Sequence, residues 1–433
     1  MVYINNRALS RRDWLKLAAT GGVASLAHLA AWTPAAWAQD PAPMRPMPPF
    51  TGPGANPHWN SIGPVVTYPQ KQPLILLTDR PPQLETPRHL FTSAITPNSA
   101  FYVRWHLDEI PNAIDLRTWR LRVEGHVTRP QSFSLAQLLD RFAPTTVVAV
   151  NQCSGNSRSL FQPRVQGGQW GHGAMGCAEW TGVRLTDLLA AAGVKPGAVA
   201  VQFEGLDRGK GPAGLGSHIF LKSLDAAGPA LERTIISYAM NGKPLPMLNG
   251  FPARVVAPGW FATYWTKALS VIRVLDKPDE SFWMKSAYRI PRTPRGHTTP
   301  DDIKTGRVVT GPIHVMPVRS FLISPDGSAA LPARLPVVLR GIAFSGTGPV
   351  VKVEVSTDGA RTWSEALLGA DLGPYAFRTW ELAWTPASPG RAYIAVRATD
   401  AAGNAQPDED VWNPGGYLWN RVERQEFTVG AAS

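Results

Sequence analysis

Thr145-Thr146-Val147-Val148-Ala149-Val150-Asn151-Gln152-Cys153-Ser154-Gly155-Asn156-Ser157-Arg158 is the stretch on which the reading of this chain turns. Its first six residues are β-branched or small and apolar, the pattern of a buried strand. The strand runs directly into a Gly-Asn turn that ends on an arginine. A cysteine placed there is exposed at a strand end, and such a turn offers backbone N–H donors that favour the thiolate. A lone cysteine is by default an inert buried thiol, so the rest of the chain has to decide.

Two cysteines, Cys153 and Cys177, serve 433 residues. Iron–sulfur clusters usually take four cysteines, or two with two histidines, and are excluded. The chain has no C-x-x-C-H haem attachment site and no C-x-x-C or H-E-x-x-H zinc pattern. A Cys153–Cys177 disulfide stands as the alternative use of both thiols, since an oxidising compartment allows it. That compartment is indicated by the N-terminus. Ser10-Arg11-Arg12-Asp13-Trp14-Leu15-Lys16 is a twin-arginine pattern, followed by a weakly apolar stretch, Leu17 to Ala31, and an A-x-A site at Ala36-Trp37-Ala38. Signals of this kind serve proteins exported folded around a cofactor, which predicts a periplasmic protein with residues 1–38 removed, an uncleaved signal anchor being the second reading. No later run is long enough to span a bilayer. The four bases and one acid of residues 1–38 account for +3 of the formal charge of +11, leaving +8 on the mature chain. That surplus favours anionic substrates or acidic partner proteins. Nucleic acid fits poorly, because the basic residues are scattered.

Outward from the cysteine, residues 39–73 are rich in proline, glycine and asparagine and predict an extended arm. Residues 74–300 mix short strands and helices. Trp119–Gly125 alternates as a strand, Ser134 caps a helix start, Leu185–Ala192 is a helix stopped by Gly193, and Val199–Glu204 is a strand. Residues 277–312 are an irregular connector. Within 301–433 the strands Val351–Ser356 and Tyr393–Ala398 each end in an Asp-containing turn, and helix is scarce. Short strands with regular turn signals predict a β-sandwich of immunoglobulin-like type.

Three further stretches carry chemistry. Arg104 and His106 follow a strand-like Phe101-Tyr102-Val103, and a spacing of two places them on one face of an extended chain, where they suit an oxyanion. Trp260–Lys267 is dense in aromatic residues. Tyr288 lies among bases, and burial beside a cation would acidify its phenol.

Taken together these residues resemble the sulfite oxidase family of molybdenum enzymes, most of all its bacterial periplasmic sulfite dehydrogenases, the catalytic subunits of sulfite:cytochrome c oxidoreductases. The runs that carry the likeness are Phe-Tyr-Val-Arg-Trp-His (101–106), Asn-Gln-Cys-Ser-Gly-Asn-Ser-Arg (151–158) and Gly-Gln-Trp-Gly-His-Gly-Ala (168–174). Asn-Gly-Phe-Pro-Ala-Arg-Val-Val-Ala-Pro-Gly (249–259) and Phe-Trp-Met-Lys-Ser-Ala-Tyr-Arg (282–289) continue it in order. The resemblance implies an α+β architecture: a mixed α/β molybdopterin domain followed by the immunoglobulin-like sandwich, a module of the dimerisation type. It implies one molybdenum–molybdopterin cofactor per chain, with Cys153 as the single protein thiolate on the metal. Arg104, His106, Arg158, Trp170 and Tyr288 match residues around the substrate anion. Tyr102, Val103, Arg104 and His106 also match a stretch that touches the cofactor, while Asp207, Arg254, Trp265, Thr266 and Lys267 match contacts to the pterin and its phosphate. Asn249 stands where animal sulfite oxidases carry a histidine. Those enzymes also place an arginine near the C-terminus, whereas Val411-Trp412-Asn413-Pro414-Gly415-Gly416-Tyr417 has none. Cys177 matches no metal ligand and reads as a core thiol.

The expected activity is therefore oxidation of sulfite to sulfate. This chain is expected to carry no haem, so electrons would pass to a c-type cytochrome, either a subunit or a soluble protein. A homodimer through the sandwich or a heterodimer with the cytochrome would result. The competing readings are a sulfane dehydrogenase subunit of a thiosulfate-oxidising system, a methionine sulfoxide reductase (which would lack the sandwich), and a non-enzymatic exported scaffold or adhesion protein.

Overall fold

The computed structural model describes residues 64–209 and 219–431. The expected signal segment 1–38, and residues 39–63 of the expected arm, lie outside them. The last part of that arm region contributes the short strand Val65–Val66, which pairs with Leu74–Thr78 in a small sheet completed by Gln83–Glu85 and Val103–Arg104.

The β-branched run around the cysteine forms the strand Thr145–Gln152, fully buried from Ala149 onward. It pairs antiparallel with the ten-residue strand Met175–Arg184, Val150 opposite Cys177. That sheet continues through Ile235–Met240, which also pairs with Arg254–Val256. A second sheet orders Leu221–Asp225, Ala200–Gly205, Leu269–Leu275, Leu121–Gly125 and Gln131–Phe133, with Leu269–Leu275 parallel to Leu121–Gly125. Among the described residues the helices are short, and two follow the sequence expectation; Pro229–Arg233 was not expected, and the stretch 277–312, expected as an irregular connector, holds the short helices Phe282–Lys285 and Pro300–Lys304 and the paired strands Arg289–Pro291 and Thr310–Pro312. Ser134 and Gln137 form a reciprocal capping box at Leu135–Arg141. Leu185–Ala192 ends at Gly193, whose φ of 67° is left-handed and suits glycine.

From Arg319 on, two sheets face one another. One orders Arg319–Ser324, Val337–Phe344, Arg378–Trp384 and Leu367–Leu368; the other orders Leu331–Pro332, Glu423–Gly430, Gly390–Asp400, Val350–Ser356 and Ser364–Glu365. Alternate residues of both, among them Leu339, Val353, Ile394, Val396 and Phe427, form one buried cluster. Each such side chain contributes about 1.5–3 kcal/mol by leaving water. The two units share a second, larger core, to which the sandwich lends Phe321, Ile342, Phe344 and Phe377. The sandwich also covers the free edge of the cysteine strand, where Val150 N–H donates to the Tyr375 carbonyl at 2.8 Å. An open strand edge exposes unpaired backbone groups, and this contact removes one.

Candidate active site

The cysteine strand delivers Cys153 to the wall of a small cavity. Tyr102, Arg104, His106, Cys153, Asn249, Arg254, Lys267 and Tyr288, all singled out from the sequence, line it. Among the described residues its wall holds two arginines, a lysine and a histidine, and no aspartate or glutamate. A low-dielectric hollow with that lining attracts anions. Both cysteines are free and buried, so the disulfide alternative does not hold. Cys177 stands one strand over, with Phe377 N–H donating to its sulfur at 3.4 Å.

The hydrogen bonds that hold the cations around the cavity go to backbone carbonyls. Lys267 Nζ donates to the Arg104 carbonyl at 2.7 Å and lies 4.5 Å from the centre of the Trp105 ring. Arg254 donates to the carbonyls of Asn249 (2.8 Å) and Trp265 (3.2 Å), its guanidinium near the rings of Trp180 and Trp265. Burial lowers Arg254 to about 10 and Lys267 to about 7. Asp207 sits behind Lys267 and is raised to about 6 by burial, against the pull of the Lys267 charge.

His106 Nε2 and Tyr288 Oη are 2.6 Å apart. The imidazole stacks on Phe220 at 3.9 Å, and burial followed by the charges of Arg104 and Lys267 keeps its pKa far below the usual range, hence neutral. The expectation of an acidified Tyr288 is overturned. Its pKa is raised, because burial outweighs the opposing charge of Arg104. Tyr288 Oη therefore keeps its proton and is available as a hydrogen-bond donor. The expected ring of backbone N–H donors around the sulfur is also largely absent: the amides of Asn156, Ser157 and Arg158 are already bonded to the carbonyls of Cys153, Gly171 and Gly155.

Six of the sequence-derived residues stand off the wall. Val103 turns into a separate cluster with Leu74, Leu84 and Trp105. Trp170, fully buried, meets Tyr102 edge-on at 6.4 Å. Arg158 is held by the carbonyls of Gly168 and Gly415, each at 3.1 Å, and lies 5.2 Å from the centre of the Tyr417 ring. An added Cβ on Gly155 would stand 2.4 Å from that guanidinium, so a side chain there would displace Arg158. Asp207, Trp265 and Thr266 form the layer behind Lys267 and Arg254. Asn249 lines the cavity, yet both ends of its amide are engaged: it accepts from Lys71 Nζ at 2.6 Å and donates to the Tyr102 carbonyl at 3.1 Å.

Sequence reasoning missed Asn151, Ser154, Leu248, Ala262 and Thr263 on the wall. Asn151 and Ser154 flank the cysteine in the decisive run, which was the available signal. It also missed Lys222, fully buried, whose Nζ donates to the Trp283 carbonyl at 2.6 Å and lies over the rings of Tyr264 and Tyr288.

Two family models match the chain. One is described as "Oxidoreductase molybdopterin binding domain", over residues 106–283, and one as "Mo-co oxidoreductase dimerisation domain", over residues 310–427. The mitochondrial sulfite oxidase of Rattus norvegicus is 35% identical, across 86% of this chain and 69% of that one. The sulfite oxidase of Gallus gallus is 36% identical, across 82% of this chain and 78% of its own. The chain belongs to the sulfite oxidase family. A solved structure, the sulfane dehydrogenase SoxCD from Paracoccus pantotrophus, superposes with a TM-score of 0.69 at 28% identity, covering 82% of this chain and 88% of that one. As a sulfite oxidase family member the protein is a molybdenum–molybdopterin oxidoreductase, and the reading as a non-enzymatic scaffold is overturned by these matches.

The residues present fit that cofactor. Four wall residues each bury a polar side-chain atom that has no partner among the described residues: Asn151 Nδ2, Ser154 Oγ, Arg254 Nε and Thr263 Oγ1. Thr266 Oγ1, one layer back, is a fifth. Each costs about 1–3 kcal/mol while unmatched. A polar, anionic group in the cavity would satisfy them. Among the described residues no cluster of three or more His, Cys, Asp or Glu side chains gathers.

Proposed function

We propose that this protein oxidises sulfite to sulfate in the periplasm and passes the electrons to a c-type cytochrome. The observation that carries the reading is a buried, carboxylate-free cavity in which Arg104, His106, Arg254 and Lys267 converge on one thiol, Cys153. The family membership of the chain supplies the chemistry. When bound, the molybdenum cofactor would be held by the Cys153 thiolate and would supply the oxygen-atom-transfer and two-electron redox chemistry. Arg254, Thr263, Thr266 and Lys267 hold the pterin and its phosphate by charge-assisted and hydroxyl hydrogen bonds. Arg104 orients the sulfite oxygens, and Arg158, one layer behind, adds positive potential. Tyr288, accepting from neutral His106 in its Nε2–H tautomer, donates a hydrogen bond to substrate oxygen and holds a proton for release with the electrons.

The twin-arginine pattern at residues 10–16 supports export in the folded state. The sandwich is read as immunoglobulin-like, and its description as a dimerisation domain supports a homodimer. Among the described residues no helix is long and apolar enough to cross a membrane. Sulfite-dependent reduction of cytochrome c by the purified protein tests the proposal. If Cys153→Ser retained that activity, the mechanism would be wrong.

The similarity to SoxCD favours a second reading, a sulfane dehydrogenase subunit acting on protein-bound sulfur. Thiosulfate-pathway carrier protein, assayed beside free sulfite, separates the two by which substrate drives the reduction.

A further inference from the structure

The sandwich reaches the cysteine turn at two adjacent residues. Ser157, four residues beyond Cys153, has φ of 70°, a left-handed backbone that a serine keeps only where its surroundings fix it. Its Oγ lies 2.6 Å from His172 Nδ1 and accepts from Arg319 Nη2 at 2.8 Å. Ser157, His172 and Arg319 are all buried. Arg319 opens the first long strand of the sandwich and stands 162 residues away in sequence. A guanidinium can only donate, so Ser157 Oγ accepts from Arg319 and shares a second hydrogen bond with His172 Nδ1, whose direction the imidazole tautomer sets. Burial first, then the charges of Arg319 and Arg88, keep that imidazole neutral. The Arg319 guanidinium lies 4.5 Å from the Phe321 ring centre, and the charge of Glu423 favours its protonated form against the cost of burial. The next residue of the turn, Arg158, is bonded by the Gly415 carbonyl and flanked by Tyr417, from the segment that leads into the last strand of the sandwich. Gly416 has φ of 61°, and a Cβ there would stand 2.7 Å from Arg158 Cγ, so the two chains are in close contact.

We propose that Arg319 is a positioning residue of the reaction: through Ser157 the sandwich fixes the turn that aims the Cys153 sulfur into the cavity. The C-terminal unit is then part of the active site as well as a dimerisation module. The metal side of this inference rests on the reading of Cys153 as the molybdenum ligand, and the test keeps the two apart.

The first measurement uses folded protein without cofactor. The rate at which Cys153 reacts with a thiol reagent reports the turn alone, with Cys153→Ser marking any signal from Cys177. Arg319→Gln and Ser157→Ala should each speed the reaction about tenfold, whereas Leu339→Ala, in the sandwich core and away from the turn, should leave it unchanged although it lowers stability. In loaded enzyme the same two variants should retain molybdenum, shift its electron paramagnetic resonance signal, and lower kcat by about 10- to 100-fold with KM for sulfite little changed. Arg319→Lys, which keeps the charge, should recover part of the loss, and Ser157→Ala combined with Arg319→Gln should be no worse than either alone. Unchanged thiol reactivity in both variants overturns the clamp, as does an effect that follows thermal stability and is matched by Leu339→Ala. Faster labelling together with molybdenum retention in Cys153→Ser keeps the clamp and removes the ligand assignment.

Discussion

Gln406, inside the C-terminal unit, uses every hydrogen bond its amide offers: Oε1 accepts from Ser320 Oγ at 2.6 Å and Ala398 N–H at 3.0 Å, and Nε2 donates to the carbonyls of Asn420 and Arg421. Asn151, on the cavity wall, accepts from Tyr102 Oη at 2.6 Å and leaves its Nδ2 without a partner among the described residues. The contrast extends to charges. Asp400 of the sandwich is surrounded by Ser345, Thr347 and Asn404, which keep its pKa low despite some burial. Arg254 and Lys267 face the cavity and lose proton affinity to burial. The sandwich has orphans too, such as Trp380 Nε1 and Gln425 Oε1, but those around Cys153 converge on a single cavity. Polar groups that the protein satisfies by itself hold the fold, and those it leaves open together mark where a ligand completes it.

The contrast can be broken at both ends. The largest effect is expected of Cys153→Ser: molybdenum content should fall and sulfite-dependent cytochrome c reduction should disappear, with the fold intact by circular dichroism. Gln406→Leu should destabilise the sandwich by about 1–3 kcal/mol for each buried partner it abandons, read from the denaturant midpoint, while kcat per folded molecule stays as it was. Arg104→Gln removes a charged donor, about 1.5–3 kcal/mol, and should lower kcat/KM for sulfite by about 10- to 100-fold, chiefly through KM. Thr263→Val reverses the sign seen at Gln406: deleting an orphan hydroxyl should raise the stability of cofactor-free protein by about 1 kcal/mol and weaken cofactor retention. If Thr263→Val instead destabilised the cofactor-free protein, the cavity would be finished by the protein in the same way as the sandwich.

The smallest effect per unit change concerns pH. Burial lowers Lys71, Lys222 and Lys267 from 10.5 to about 7. Between about 7 and 10.5 the unfolded chain therefore binds more protons than the fold, and cofactor-free protein should gain stability as pH rises through that window. Lys71→Met should flatten the slope. The activity profile should show no step from His106 near neutrality, since its pKa lies far below that range.

Local pattern made much of the scaffold legible. The strand Thr145–Gln152, the helix Leu185–Ala192 with its Gly193 stop, and the strands around Val353 and Val396 follow from β-branched runs, alternation and caps, all set by neighbours in sequence. The Tyr288 expectation failed because bases nearby in sequence say nothing of burial, and burial decides the proton affinity of a phenol. Lys71 lies within the stretch expected as a loose arm, yet it is buried and bonds Asn249, 178 residues away. No local pattern encodes such a contact.

By itself, the order of residues determined the strands and helices, the scarcity of thiols, and the stretches that chemistry would use, since each depends on side-chain type and short-range spacing. Only the tertiary structure decided which of those side chains share one low-dielectric cavity, which stand a layer behind it, and that Arg319 of the sandwich grips the turn beside Cys153. Burial and long-range contact set proton affinity, unmet hydrogen bonds and aim, and these exist only once distant segments have packed together.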